Sequence, residues 1–191
     1  MRKKEDIHRI NEDLAARFRK IEAELLSTPT IAGLFEALVE GIEREFGVPF
    51  VWLTFVNRPG VDALTNAAVA SDILKSRFSV ISAELLEKII PDGLQPVLSN
   101  QNLQLFYKLM PPSQKYFVRS VAVVPFALEG RMIGAWNNGD VDAKRYSPDM
   151  DTALLAALAD RISFRLTALA AEKNTASAAE KSAEQPGGFH G

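Results

Sequence analysis

The stretch Ser120-Val121-Ala122-Val123-Val124-Pro125-Phe126-Ala127-Leu128-Glu129-Gly130-Arg131-Met132-Ile133-Gly134-Ala135-Trp136-Asn137-Asn138 decides the fold class. Two apolar runs rich in branched and aromatic residues flank a short connection ending in glycine. That is the signal of a β-hairpin. The expected strands cover 116–128 and 131–138, and Asn137-Asn138-Gly139-Asp140 makes the exit turn. Pro125 lacks a ladder donor, so it should sit at a bulge or an unpaired position.

Working outward, Phe50–Val56 is a further strand, apolar on both faces. Both faces must be covered, or one must line a cavity. Before it, Ile31, Leu34, Phe35, Leu38, Val39, Ile42 and Phe46 form a wide helical stripe, opened by Pro29 and closed by Gly47. A first helix over about 4–27 carries the thinner stripe Ile7, Ile10, Leu14, Phe18, Ile21 and Leu25. After the hairpin, Ser147-Pro148-Asp149 reads as a helix start, and Leu155, Leu158, Ile162, Leu166 and Leu169 define a last helix to about residue 171.

Between Asn57-Arg58-Pro59-Gly60 and the hairpin lie smaller elements. Weak strands are expected around 63–70 and 77–81, a short Ser82-capped helix over 83–90, and another near 102–109 after an Asn100 cap. This series reads as a segment crossing a sheet. Residues 172–191, mostly Ala, Ser, Glu, Lys and Gly, read as a disordered tail. The expected organisation is a helical extension over 1–29, a domain over 30–171 and the tail.

Adjacent hairpin strands with long amphipathic helices make an α+β domain. From residue 31 to 169 the chain resembles GAF-type sensor domains, and more narrowly the bacterial proteins catalogued as domain of unknown function 484. The resemblance rests on the Ile31-Ala32-Gly33-Leu34-Phe35-Glu36-Ala37-Leu38 helix, the Phe50–Val56 strand, the Ser120–Phe126 run, Gly130 through Gly134, and above all Arg145-Tyr146-Ser147-Pro148-Asp149-Met150-Asp151-Thr152. Gly139-Asp140 stands where that family usually has a Gly-Ser pair. The resemblance implies a GAF-like antiparallel sheet of about six strands. Its terminal helices would pack on one face, and the segment from about Ser71 to Lys115 would close over a pocket on the other. It also implies terminal helices that pair across a dimer.

Composition narrows the chemistry. The 191 residues carry 22 Lys and Arg against 24 Asp and Glu, a formal net charge of −2. That balance lacks the clustered cations nucleic acid requires. No cysteine is present, so thiol nucleophiles, Cys-ligated metals and thioether-linked chromophores are excluded. GAF-type sulfoxide reductases use cysteines, and bilin sensors attach through one. Neither chemistry has its residue here. The histidines, His8 and His190, lie near the termini, away from any serine they could activate. Phosphate-cradling glycine motifs are lacking. Asp140 and Asp142 near Asp149 and Asp151 lack the spacing of a calcium loop, so no metal or other cofactor is expected. With neither an apolar leader nor a run of roughly 18 apolar residues, the chain is expected to be cytoplasmic and off the membrane.

A pocket remains. By alternation, Trp52 and Thr54 share a face of one strand, and Trp136 and Asn138 share a face of another. Arg119 opens an apolar run, and Phe106 and Tyr107 sit on a short lid-like helix. These seven are the candidate ligand pocket, although each has an ordinary packing role open to it. The apolar stripes Ile7, Ile10, Leu14, Phe18, Ile21, Leu25 and Ile162, Leu166, Leu169 are the candidate dimer helices. The expected function is a non-enzymatic regulatory or protein-interaction module acting as a homodimer and passing its signal to a protein partner. A small-molecule sensor is the alternative. An enzyme resting on carboxylates, Lys or Tyr ranks last.

Overall fold

The computed structural model describes residues 2–111 and 115–183. Helices α1 (Arg2–Ser27) and α2 (Ile31–Phe46) form an antiparallel pair, and β1 (Phe50–Val56) follows. The Thr30 side chain accepts from the Gly33 N–H at 3.0 Å, closing the first turn of α2. Gly47, at φ 60°, ends that helix in the left-handed region.

The sheet has five strands in the order β2-β1-β5-β4-β3, with β2 at Phe78–Ile81, β3 at Val97–Ser99, β4 at Ser120–Leu128 and β5 at Arg131–Asp140. It therefore has one strand fewer than about six. One pair, β1 with β2, is parallel. The reason is that residues 62–70 form a helix, α3 (Asp62–Ala70), where a weak strand was expected. A parallel pair needs a crossover, and α3 supplies it. Its buried Leu64 and Ala68 join the core under α2.

The hairpin forms with Glu129 at φ 50° and Gly130 at φ 77°, a turn with two left-handed residues that matches strand twist. The first strand begins at Ser120 rather than 116, and Tyr116 and Phe117 are exposed. Pro125 lies two residues beyond Val123, the last β4 residue paired with β3, and next to a bulge at Phe126/Ala127. Ile133 is the extra residue of that bulge. The Ala127 N–H it frees is received by the Ser163 hydroxyl at 2.9 Å.

Helix α5 (Ala153–Ala183) packs on β4 through Leu158, Ile162, Leu166 and Leu169. It starts later than Ser147-Pro148 because Asp151, not Ser147, takes the first helical N–H, that of Ala153 at 2.8 Å. It continues past residue 171, where a disordered tail was expected, because Ala, Glu and Lys are strong helix formers that need no core to turn. Residues 184–191, the rest of that expected tail and His190, lie outside the described residues.

The two faces of the sheet carry separate cores. On one, α1, α2, α3 and α5 cover Leu53, Phe55, Val124, Phe126 and Trp136. Phe35 reaches Phe55 and Phe126 with ring centroids 5.5 and 5.4 Å apart. On the other, α4 (Ala83–Ile89) and the turns up to Met110 cover Trp52, Val121, Val123 and Ala135. Ser82 caps α4 by accepting from Leu85. The element near 102–109 is a single 3-10 turn at Phe106–Lys108, and Asn100 donates to the Ala143 carbonyl instead of capping it.

This layering corrects the dimer-helix expectation. Ile21, Leu25, Ile162, Leu166 and Leu169 are all buried in the chain's own core, because α1, α2 and α5 pack on one another over the sheet. Phe18 is partly buried against the same core, and Leu14 is partly buried too. Of the α1 stripe, Ile7 and Ile10 remain exposed, at 54% and 55%.

Candidate functional site

The chemistry of the crossing-segment face gathers at one backbone carbonyl. Trp52 and Thr54 project from β1 beneath the crossing segment, and Ser79 lies beside Thr54 on the parallel strand. The Trp52 Nε1–H donates to the Leu109 carbonyl at 2.8 Å, the Ser79 hydroxyl donates to it at 2.7 Å, and the Thr54 hydroxyl approaches it at 3.5 Å. Asn137 completes the group from β5. Its Nδ2 donates to Thr54 Oγ1 at 2.9 Å and to the Trp52 carbonyl at 3.3 Å, while its Oδ1 has no partner among the described residues. Trp52, Thr54 and Asn137 are fully buried. Buried polar groups are normally paired, because an unmet one keeps its full desolvation cost.

Gly139 makes room for this group. A Cβ there would meet Trp52 Cζ3 at 3.0 Å and Val118 at 3.0 Å. Apolar side chains fill the space around the polar cluster: Val56, Leu86, Ile89, Leu103, Leu109, Met110 and Val118. Phe106 and Tyr107 pack against that core and are partly buried.

The candidate pocket therefore splits. Trp52, Thr54, Phe106 and Tyr107 share the crossing-segment face. Trp136 and Asn138 do not, because β5 aligns Trp52 with Asn137 and Leu53 with Trp136. Residues directly opposite one another in a sheet share a face. Trp136 is buried under the helices, with its Nε1 unpaired among the described residues, and Asn138 lies on that side too. Arg119 is exposed and meets Asp140 through its backbone N–H alone. Asn137, Ser79 and the Leu109 carbonyl are members that the strand pattern did not single out. The register of β5 against β1 places Asn137, that of β2 against β1 places Ser79, and the loop fold places the Leu109 carbonyl.

Solved structures share this architecture. A free methionine-R-sulfoxide reductase from Neisseria meningitidis, in complex with its substrate, overlays 84% of this chain and 93% of its own, with a TM-score of 0.57 at 17% identity. A segment of a methyl-accepting chemotaxis protein overlays 78% of this chain and 96% of its own, with a TM-score of 0.53 at 14% identity. The shared architecture is a mixed α+β fold, a sheet with helices packed on it. The GAF domain of an Acinetobacter phosphoenolpyruvate-protein phosphotransferase also overlays, over 87% and 97% of the two chains, with a TM-score of 0.49 at 11% identity. No family model matches the sequence, and no curated protein does. Identities this low establish the fold, and one fold serves many activities.

Opposite the Trp52 face, the 141–152 loop is held on the helices. Asp140, nearly buried, pairs with Arg145 at 3.1 Å and accepts the Asp142 N–H at 2.8 Å. Arg145 also donates to the Phe46 carbonyl. Asp140 and Asp142 thus serve as loop anchors, and no cluster of three potential metal ligands occurs among the described residues. Burial pushes the Tyr146 phenol up to about 12, against the pull of the Arg145 guanidinium beside it. His8 is exposed on α1, next to Glu12 at 3.1 Å. No helix among the described residues is long and apolar enough to cross a membrane.

Proposed function

We propose that this chain is a non-enzymatic, cytoplasmic regulatory module, kin to domain of unknown function 484, switched by what lies beneath its crossing segment. The carrying observation is the Leu109 carbonyl, on which Trp52, Ser79 and Thr54 converge. Three sheet donors meeting one loop carbonyl, with Asn137 Oδ1 left over beside them, form a receptor for a small molecule offering an acceptor and a donor together. In the closed state the loop supplies the acceptor itself. A ligand that takes that place releases residues 103–111, and the lid displacement is the signal.

Native mass spectrometry of gently purified full-length protein tests this reading. A small-molecule mass that is retained by the parent and lost by the Thr54→Val/Asn137→Leu double variant supports it. An adduct kept equally by both proteins, or a parent that carries none and is not stabilised by a metabolite panel in a thermal-shift assay, overturns it.

Exposed Ile7 and Ile10 favour a second property, pairing of α1 with a second copy. Light scattering on an Ile7→Glu/Ile10→Glu variant decides it. A halved mass supports the dimer, and an unchanged mass refutes the role given to α1.

A further inference from the structure

Where β4 begins and β5 ends, the sheet carries an aromatic and cationic surface. Tyr116 and Phe117, 91% and 61% exposed, precede β4, and Val141, 52% exposed, follows β5. The Arg119 N–H donates to the Asp140 carbonyl at 2.7 Å, and Ser120 pairs with Asp140. That register brings the approach to β4 alongside the exit from β5. Tyr116 and Phe117 lie within three residues of Arg119, a reach of about 10 Å. The turn beyond Val141 is fixed in place. The Ser120 hydroxyl donates to the Asp142 carbonyl at 2.6 Å, the Lys144 N–H donates to the Asp142 carboxylate at 2.9 Å, and the Asn100 amide donates to the Ala143 carbonyl at 3.0 Å.

The charges of this surface are unspent. Arg119 and Lys144 are exposed and Lys115 is partly so. None of the three makes an ion pair among the described residues. Arg145, by contrast, is taken by Asp140. Three cations against the carboxylate of Asp142 leave this end positive, on a chain whose formal net charge is −2.

From this surface we infer a docking site for an acidic peptide segment of a partner protein, one that sets an aliphatic or aromatic side chain among carboxylates. Exposed apolar side chains rimmed by polar groups mark interaction sites. Tyrosine and arginine anchor such contacts, because each buries a broad, planar group. The cations select the sign of the partner. Asp142 favours a peptide over a polyanion. It stands exposed among the cations, where the close-set charges of a nucleic acid or an anionic bilayer would meet it. A peptide places its carboxylates singly. The site shares no residue with the Trp52 cluster and stands whether or not that cluster takes a ligand.

Fluorescence anisotropy with labelled peptides and the full-length chain tests the assignment. The probe is a leucine–phenylalanine pair flanked by glutamates; one control replaces the pair with serines, the other replaces the glutamates with lysines. The probe is expected to bind saturably, at least about tenfold tighter than either control, and to weaken as salt rises. Arg119→Glu/Lys144→Glu and Tyr116→Ser/Phe117→Ser should each weaken it at least about tenfold. These exposed positions leave both cores untouched, so each variant should keep the parent's urea midpoint, which separates lost docking from lost fold. No saturable binding of the probe, equal binding of either control, or unchanged binding by either variant overturns the proposal. So does tighter binding of oligothymidine or of phosphatidylserine vesicles. The parent's ranking of the probes decides the matter even where a variant is unstable.

Discussion

Asn137 of β5 donates its side-chain amide to the Thr54 hydroxyl of β1 at 2.9 Å, inside a sheet where both residues are fully buried. The bond ties two central strands together through side chains as well as backbone. It also orients the Thr54 hydroxyl, which stands within 3.5 Å of the Leu109 carbonyl.

Removing one partner should cost more than removing both. Thr54→Val leaves the Asn137 amide with the longer bond to the Trp52 carbonyl, and a loss of about 1–3 kcal/mol is expected. Adding Asn137→Leu replaces the pair with apolar groups. The double variant should then be less destabilised than the sum of the single ones. Urea denaturation of all four proteins gives the coupling energy, and simple additivity would refute the link.

Ser163→Ala should destabilise the chain by about 1–3 kcal/mol. The Ser163 hydroxyl receives the Ala127 N–H freed by the bulge, and Ala127 is buried. The local signature is faster hydrogen exchange at the Ala127 amide, with other β4 amides changed only by the global loss.

Glu129→Asn should stabilise by about 0.5 kcal/mol. Glu129 stands at φ 50° in the hairpin turn, a conformation asparagine tolerates better. Only its backbone N–H is engaged, with Thr167, so the exchange sacrifices no side-chain bond. A higher midpoint in urea at an unchanged slope is the expected result.

Tyr146 links stability to high pH. Burial disfavours the phenolate and pushes the folded value up to about 12, above the ordinary tyrosine value of 10.0. A raised folded value gives stability that is full below pH 10 and is lost as pH rises through 12. Tyr146→Phe should flatten that fall and remove a phenolate absorbance component centred near pH 12. An unchanged titration curve would contradict the burial.

Gly134→Ala should be among the most damaging single changes. A Cβ at Gly134 would lie 2.3 Å from the Thr54 carbonyl oxygen and 2.9 Å from the Phe126 ring. Neither a sheet backbone nor a fully buried ring can yield that distance, so loss of folded protein in the soluble fraction is expected.

Much of the frame was legible in the residues alone. Apolar spacing places α1, α2 and α5, and the run through Glu129-Gly130 predicts the hairpin, because amphipathic periods and turn residues act locally. Gly47 and Ser82 mark their helix ends for the same reason, whereas α2 opens at a Thr30 cap rather than at Pro29. The 77–81 strand was legible and the 62–70 stretch was not, since an alanine-rich segment such as α3 becomes helical only where Leu64 and Ala68 find α2 to pack on.

The site divides along the same line. Sequence alone determined that Trp52 and Thr54 share a face, that no thiol chemistry is available, and that the chain holds an α+β core. Tertiary structure decided that Asn137, rather than Trp136 or Asn138, joins Trp52. It also decided that the stripes of α1 and α5 are spent largely within one chain. The physical reason is register. Side-chain direction along one strand repeats every two residues, but which residues meet across strands depends on the Ile133 bulge and on α3 carrying the chain to β2.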